Sequence, residues 1–550
     1  MRLLGRLTGK KASASIVSGG EGRVIVRGWK ELAAIGKGLM WLHGMSQSAA
    51  QETAAARARI IDPMAGFAVG SALERYRLKP GGFRLGQIHP DHGVAAFDAG
   101  VMDDRHVFIV SGSRSGKGRS LGIPNALHWE GPLFFVDPKG EAASICGMRR
   151  GTKEDAKGTG TSVRNFIGQK VAILDPFGET KGPARAYLKR YNPLADIDMR
   201  QGGGVRSIRA LASSVVVPDS GTGKHFSETA ETLLTGVIEA VKLREPIHLQ
   251  TLARCRDILL EGFDALQDYL SKTPASAGKL AREAWTLMDE VGADEWGSHR
   301  STMSRNLKWL AEPDMLDHLD VSDFSLRRAV IEGWSIFIVI PPLLVADYRA
   351  WLRLTVRIAL DAKASLGTNQ KGPQTLFFLD EFGSALGHFQ LIEEAAGHMA
   401  GYGIKLVPII QNIGQVQQLY AKNWETFLGN AGAIVAWGLN DKETEVYLAD
   451  RLGHVMIDEA SQGSSSGWSG GGMQGGASTN ISRQQRPVRF PNEIHEQGAR
   501  ENMRAFVIPA DGKAFTVLRQ NYDDVDAQSA IFDSPDFITK WEANHGSGLQ

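Results

Sequence analysis

Cysteine is nearly absent from this 550-residue chain: Cys146 and Cys255 are the whole supply. Two thiols cannot build a disulfide framework or a four-cysteine zinc site, so a reducing compartment is expected. The 14 histidines show no H-x-x-x-H spacing, which removes a common helical metal-site pattern and with it a metalloenzyme reading. Long apolar runs are lacking as well. The longest, Trp334–Val345, is cut by Pro341-Pro342 and falls short of the ~18 residues that a membrane-spanning helix needs, so no transmembrane helix is expected. Met1–Ser15 is basic with no apolar stretch behind it, so no secretory signal is expected either. Nor is there an excess of charge of one sign, since 62 Lys+Arg stand against 61 Asp+Glu. That argues against a wholly basic nucleic-acid protein but leaves room for a local basic track. What the chain does have is 43% apolar residues, enough for a globular protein of about two to four domains.

Charge and texture divide the chain. Residues 1–50 hold eight cations (Arg2, Arg6, Lys10, Lys11, Arg23, Arg27, Lys30 and Lys37) against Glu21 and Glu31. This segment suits anionic lipid or nucleic acid, with Leu32–Trp41 as an amphipathic contact, or else a solvated terminus. From about Phe83, short apolar runs alternate with helix-like stretches. His106–Val110, Leu133–Val136, Val171–Leu174, Ser335–Ile340, Thr375–Leu379, Leu406–Ile410 and Ala433–Trp437 read as buried strands. Strands without polar alternation, separated by helix-length segments, predict an α/β fold with a mostly parallel sheet covered on both faces. From about Ser227 to Leu326 the period is helical throughout. Leu233, Val237 and Val241 recur on one face, and Ile258–Leu270, Lys279–Val291 and Ser301–Leu310 read as helices, so an inserted all-α domain is expected. Ser461–Thr479 is rich in Gly and Ser and is expected to be flexible. The expected boundaries are 1–82 for the basic segment, 83–225 and 327–525 for the two parts of the α/β domain, 226–326 for the insertion, 461–480 for the flexible run and 526–550 for a tail.

The sharpest local signal lies in residues 106–127. A buried strand runs into Ser111-Gly112-Ser113-Arg114-Ser115-Gly116-Lys117-Gly118-Arg119 and then a helix expected from Lys117 to Leu127. Backbone N–H groups of such a loop converge on phosphate oxygens, and the helix terminus adds positive potential. Glycine allows close approach, and Lys117 reaches the β- and γ-phosphates. The match to G-x-x-x-x-G-K-[ST] is imperfect: Ser111 replaces the first glycine, and Gly118 replaces the hydroxyl that usually meets Mg²⁺.

A second signal supplies the partner. In residues 375–387 an apolar strand ends in Asp380-Glu381, and ligands of parallel sheets bind at that strand end. Asp380 suits Mg²⁺, directly or through water, and Glu381 suits polarising the attacking water. Gln411 follows the next strand on the same edge, where its amide suits sensing the γ-phosphate or orienting the water. Asp137, Lys139 and Glu141 follow another strand there. Together these predict ATP and Mg²⁺ as cofactors and ATP hydrolysis as the reaction, with Lys117, Asp380, Glu381 and Gln411 as the catalytic set.

In this combination the chain resembles the coupling proteins of type IV secretion and conjugation systems, the TraG-type DNA-transfer ATPases of the FtsK/HerA motor group. The resemblance runs from about His106 to Tyr522. It is carried by SRSGKGRSLGIPNAL, in which glycine after the lysine is usual for the family, and by FFVDPKGE, VAILDPF and RYNPL. LFFLDEFGSALG, AGYGIKLVPIIQNIGQV, GNAGAIVAWGLND and RQQRPVRFPNEI complete it. The resemblance implies a P-loop (RecA-like) homohexamer at the cytosolic face of a bacterial inner membrane. It would drive single-stranded DNA with its relaxase, or secreted protein substrates, towards a type IV secretion channel. Two departures stand out. Family members normally begin with transmembrane helices, so attachment here would come from partners or the basic N-terminus. Relatives in the motor group also carry an arginine after the acidic strand, whereas Glu393–Lys405 has none; Lys405 is the nearest cation, and Arg349 and Arg353 are other candidates. Arg200/Arg206/Arg209 and Arg300/Arg305/Lys308 are candidates for phosphate-backbone contact. Two other readings remain open: a nucleotide-stabilised docking platform that does not translocate, and a chromosomal DNA pump, although no sequence-reading winged domain is visible in Asp511–Gln550.

Overall fold

Strands whose side chains are all apolar need cover on both faces, and this chain supplies it. The structure is a computed structural model that describes residues 14–18, 22–26, 66–200, 203–217, 223–274, 278–368, 370–469 and 472–545. By packing, the chain divides into two units, 1–65 with 454–488 and 66–453 with 489–550.

The larger unit is built on an eleven-stranded sheet. In chain order its strands are β3 (Phe83–Ile88), β4 (Asp98–Val101), β5 (His106–Ser111), β6 (Leu133–Asp137), β7 (Val171–Leu174), β8 (Ser335–Val339), β9 (Thr375–Leu379), β10 (Ile404–Ile410), β11 (Ala431–Trp437), β14 (Arg504–Pro509) and β15 (Phe515–Leu518). Across the sheet the order is β4-β3-β15-β14-β11-β5-β10-β9-β6-β8-β7. From β11 to β7 every neighbour is parallel. From β11 to β4 every neighbour is antiparallel, which adds a wing that the sequence patterning does not predict.

Side chains alternate between the two faces. Phe135 stacks on Phe378 with centroids 4.5 Å apart on one face, and Phe134 on Phe377 at 5.1 Å on the other. Neither face is wet, and the strands read as continuous apolar runs because both sides are core. The turns that carry chemistry therefore collect at the ends of the strands.

Between β7 and β8 no strand occurs among the described residues. Helices Gly204–Val215, Lys224–Arg244, Leu252–Glu261, Phe263–Ser271, Lys279–Leu307 and Pro313–Asp320 fill the interval. The single helix expected over 258–270 is instead two, broken at Gly262 with φ +150°. The helix expected over 279–291 ends as expected at Gly292, where φ +69° breaks the helical backbone, and the second helix resumes directly after it and runs to Leu307, earlier at both ends than the expected 301–310. Glycine tolerates both conformations because it lacks a Cβ.

In the smaller unit, β1 (Ala14–Ser18) pairs antiparallel with β2 (Gly22–Val26), and β12 (His454–Ser469) with β13 (Gly472–Pro487). The Gly/Ser-rich run expected to be flexible thus lies within paired strands, apart from residues outside the described set. The pairing uses backbone N–H and C=O groups, which even side-chain-poor residues carry. Residues 32–41 and most of the basic stretch 1–50 lie outside the described residues. Among the described residues no helix is long and apolar enough to cross a membrane.

Candidate functional site

The loop after β5 opens at the middle of the sheet. Ser111 ends the strand and sits in register with Trp437 of β11. Here two glycines make a close approach possible. Gly112 N donates to Gly438 O at 3.2 Å, and a Cβ on Gly112 would lie 2.3 Å from that same oxygen. The loop then turns through Arg114, at φ +55°, and Gly116, at φ +88°. Ser113 and Arg114 are exposed, while Ser115 is buried with its Oγ 2.6 Å from Ser111 Oγ. The following helix starts at Lys117 as expected, with helical backbone there, and runs on to His128 through a wider stretch. Gly118–Gly122 form a π-turn that runs into helix Ile123–His128. The turn seats against the sheet at Gly122, where a Cβ would come within 3.1–3.2 Å of the Phe378 and Phe135 rings. Gly118, by contrast, faces open space.

Lys117 is 8% exposed. Its Nζ donates to Ser111 O at 3.3 Å and Gly112 O at 3.1 Å and lies 3.8 Å from Glu381 Oε1. Two segments some 260 residues apart in the sequence therefore meet. They meet because β10 lies between β5 and β9 with all three strands parallel, which sends their C-terminal ends to one edge. Glu381 holds a left-handed backbone at φ +55°. That conformation is costly for a residue with a Cβ and marks a position where side-chain direction is fixed against backbone preference. Gln411, one residue past β10, donates from Nε2 to Glu381 Oε2 at 2.8 Å. Its own N donates to Gln415 Oε1 at 3.0 Å.

Asp380 accepts from Glu381 N at 3.0 Å. Burial by the surrounding protein pushes its carboxyl up to about 6, with Lys117 pulling the other way and Glu381 adding repulsion. Asp137, at the end of neighbouring β6, is pushed up to about 7 by burial, and Asp380 adds to the rise. Backbone N–H groups of Ala143, at 2.8 Å, and Lys139, at 3.3 Å, oppose it. Two carboxyl groups crowded in this way are hard oxygen donors whose charge a divalent cation would relieve, so the residues present fit Mg²⁺. Among the described residues no cluster of three or more His, Cys, Asp or Glu side chains forms a metal cage, as suits an ion that also takes ligands from phosphate and water.

Other candidates fall elsewhere. Arg119 is exposed, with its Nε donating to Asp523 Oδ1 at 2.8 Å. Lys405, the second residue of β10, lies at the opposite end from Gln411, is 1% exposed, and donates to Asp103 O and Arg105 O at 2.7 Å each. A buried cation spent on two loop carbonyls cannot reach a phosphate, so the position nearest to the motor-group arginine does not serve that purpose. Arg349 donates to Ser384 O at 3.2 Å, just past the acidic pair, and Arg353 is buried over the Phe389 ring. Of the basic clusters, Arg200 pairs with Asp198, Arg209 with Glu283, and Arg300 donates to Leu260 O.

Sequence reasoning missed Trp437, Gly438 and Arg519, all of which touch the loop. Trp437 Nε1 and Arg519 Nη1 both donate to Ser115 O, at 3.2 and 3.0 Å. The aromatic end of a strand was a visible signal for Trp437, whereas Arg519, beside an unpredicted strand, offered none.

The profile described as "Type IV secretory system Conjugative DNA transfer" matches residues 71–522. Over 411 residues the chain is 26% identical to the conjugal transfer protein TraG of Agrobacterium fabrum, covering 73% of this chain and 58% of that protein. Over 402 residues it is 23% identical to the type IV secretion system-coupling protein VirD4 of Bartonella henselae, covering 71% and 59%. The match thus spans about three-fifths of these relatives' length. Among solved structures, the fold is similar to that of the bacterial conjugative coupling protein TrwBdeltaN70 (TM-score 0.59, 18% identity, 82% of this chain and 92% of that one). It is also similar to that of plasmid coupling protein TrwB in complex with ADP and Mg²⁺ (TM-score 0.57, 17% identity, 83% and 93%).

Proposed function

The chain belongs to the type IV secretory system conjugative DNA transfer family, and from that premise we propose that it is an ATP-hydrolysing coupling protein. In this reading it recruits DNA, or protein joined to it, and drives it towards a secretion or conjugation channel. One observation carries the reading: Lys117, Glu381 and Gln411 form a bonded chain at one edge of three adjacent parallel strands, with Lys117 Nζ 3.8 Å and Gln411 Nε2 2.8 Å from the two Glu381 oxygens. The solved relative TrwB binds ADP with Mg²⁺, which supports the same ligands here.

In the proposed mechanism the triphosphate lies along Gly112–Lys117, and Lys117 leaves the Ser111 and Gly112 carbonyls for the phosphate oxygens. Asp380, with Asp137 beside it, would hold Mg²⁺, which would supply charge neutralisation for the phosphates. Gln411 keeps the Glu381 carboxylate in one rotamer, so that its free lone pairs align the attacking water. Catalysis here is positioning and electrostatics, as phosphoryl transfer requires. Work on a polymer further implies a ring of copies of this chain with nucleotide between neighbours, acting at the cytosolic face of the inner membrane through partners.

ATPase assays with and without single-stranded DNA test the proposal. Wild type should turn over faster with DNA. Glu381→Gln should bind ATP and hydrolyse it roughly 10²–10³-fold more slowly, and Lys117→Ala should lose binding as well. Ordinary turnover by Glu381→Gln would overturn the catalytic assignment. Hydrolysis indifferent to DNA would favour the docking platform.

A further inference from the structure

Beyond the groups that would touch nucleotide, the loop is held from behind by the antiparallel wing. Arg519 lies one residue past β15 and is 4% exposed. Its Nη1 donates to Ser115 O at 3.0 Å and lies 3.4 Å from Ser120 Oγ, and its Nη2 donates to Arg500 O at 3.1 Å. The guanidinium lies over the Trp437 ring, 5.2 Å from its centroid, and the Trp437 indole donates to the same Ser115 carbonyl. On the other side of the peptide pair, Ser120 gives both its N–H and its hydroxyl to Gly116 O, at 2.9 Å each. Two consecutive carbonyls of the loop, those of Ser115 and Gly116, are therefore turned outward and saturated.

We propose that Arg519 is a positioning residue for the phosphate-binding loop, acting with Trp437 to fix the Ser115–Gly116 peptide so that its N–H faces the phosphates. The inference rests on the nucleotide-binding reading above. Its physical basis is the trans peptide, in which C=O and N–H point in opposite directions. A carbonyl held against Arg519 and Trp437 leaves the Gly116 N–H on the far side, and the Gly116 carbonyl held by Ser120 does the same for Lys117 N–H. Gly116, at φ +88°, has the freedom to flip. Without outward donors the peptide would turn an oxygen towards the phosphates, replacing attraction with repulsion. Burial lowers the guanidinium to about 10, so it stays charged at neutral pH and its hydrogen bonds are of the stronger, charge-assisted kind.

The test compares Arg519→Met, Arg519→Ala, Arg519→Lys and Trp437→Phe with wild type and Lys117→Ala. Readouts are titration with a fluorescent ATP analogue, steady-state KM and kcat, and thermal midpoints without nucleotide. Loss of a charge-assisted hydrogen bond should raise Kd and KM roughly tenfold or more in Arg519→Met, with kcat little changed. Trp437→Phe should cost about threefold, and Arg519→Lys, which keeps one cationic donor, should fall between wild type and Arg519→Met. Millimolar guanidinium should restore part of the affinity to Arg519→Ala, a rescue that a purely structural role would not show. Should Arg519→Met fail to fold, the Lys and Trp437→Phe variants carry the test. Wild-type Kd and KM in folded Arg519→Met, or a loss confined to kcat, overturns the positioning role alone. Wild type that binds no nucleotide overturns the site reading, and the role with it.

Discussion

Two glycines of the loop after β5, the proposed phosphate site, look alike in the sequence and differ sharply in space. Gly112 is pinned to β11: its notional Cβ would sit 2.3 Å from Gly438 O, and backbone cannot yield as a flexible side chain can. Gly112→Ala should therefore cost about 1–3 kcal/mol through overpacking and weaken nucleotide binding by parting the loop from the strand beside it. Gly118 opens a helical turn with nothing within 4 Å of its notional Cβ. Gly118→Ala should be neutral or stabilising by about 0.5–1 kcal/mol, since alanine loses less backbone entropy on folding. Thermal melts of the two variants check both, and similar losses would refute the distinction. The pattern around Lys117 was legible because a tight turn needs particular residues at fixed spacing. The contacts of Ser115 were not, since they come from residues 322 and 404 positions away.

At the scale of elements, the sheet divides its labour between two edges. The C-terminal ends of β5, β9 and β10 present Lys117, Asp380, Glu381 and Gln411. At the other edge, the start of β5 is pinned by neutral His106, whose Nε2 donates to Ala395 O while Nδ1 accepts from Leu406 N, both at 3.1 Å. Burial lowers this imidazole to about 4. The unfolded chain takes the proton near 6.5, so the stability that His106 lends is present above that pH and is lost as pH falls towards 4. The loss should reach about 2 kcal/mol by pH 5, with His318, likewise lowered to about 4 by burial, adding a similar share. Urea denaturation at pH 7 and pH 5 should show a smaller drop for His106→Gln than for wild type; equal drops would exclude the mechanism. Strand positions were readable because apolar runs between turns have few alternatives. The helix break at Gly262 was not, since a glycine within a helical pattern is compatible with continuation or interruption until packing decides.

At the scale of the whole molecule, the loop after β5 is tied to parallel strands on one side and, on the other, to residues that follow β15, through Arg519 and through Arg119 with Asp523. A ligand seated there should brace the unit across its full sequence span. Saturating ATP analogue with Mg²⁺, at about 100 times Kd, should add about 2.7 kcal/mol to stability and raise the thermal midpoint. Lys117→Ala should show no such rise, and an equal rise would place the ligand elsewhere. By itself the sequence determined the α/β class, the helical character of the stretch after β7, and which residues stand in the turns that follow β5 and β9. Each is written in local periodicity or in residue types that one turn demands. Only the tertiary structure decided that β10 lies between β5 and β9, that Lys405 is spent at the far edge, and that Arg519, beside an antiparallel wing, backs the loop. Strand order and long-range contact depend on which surfaces exclude water together, and no window of sequence carries that information.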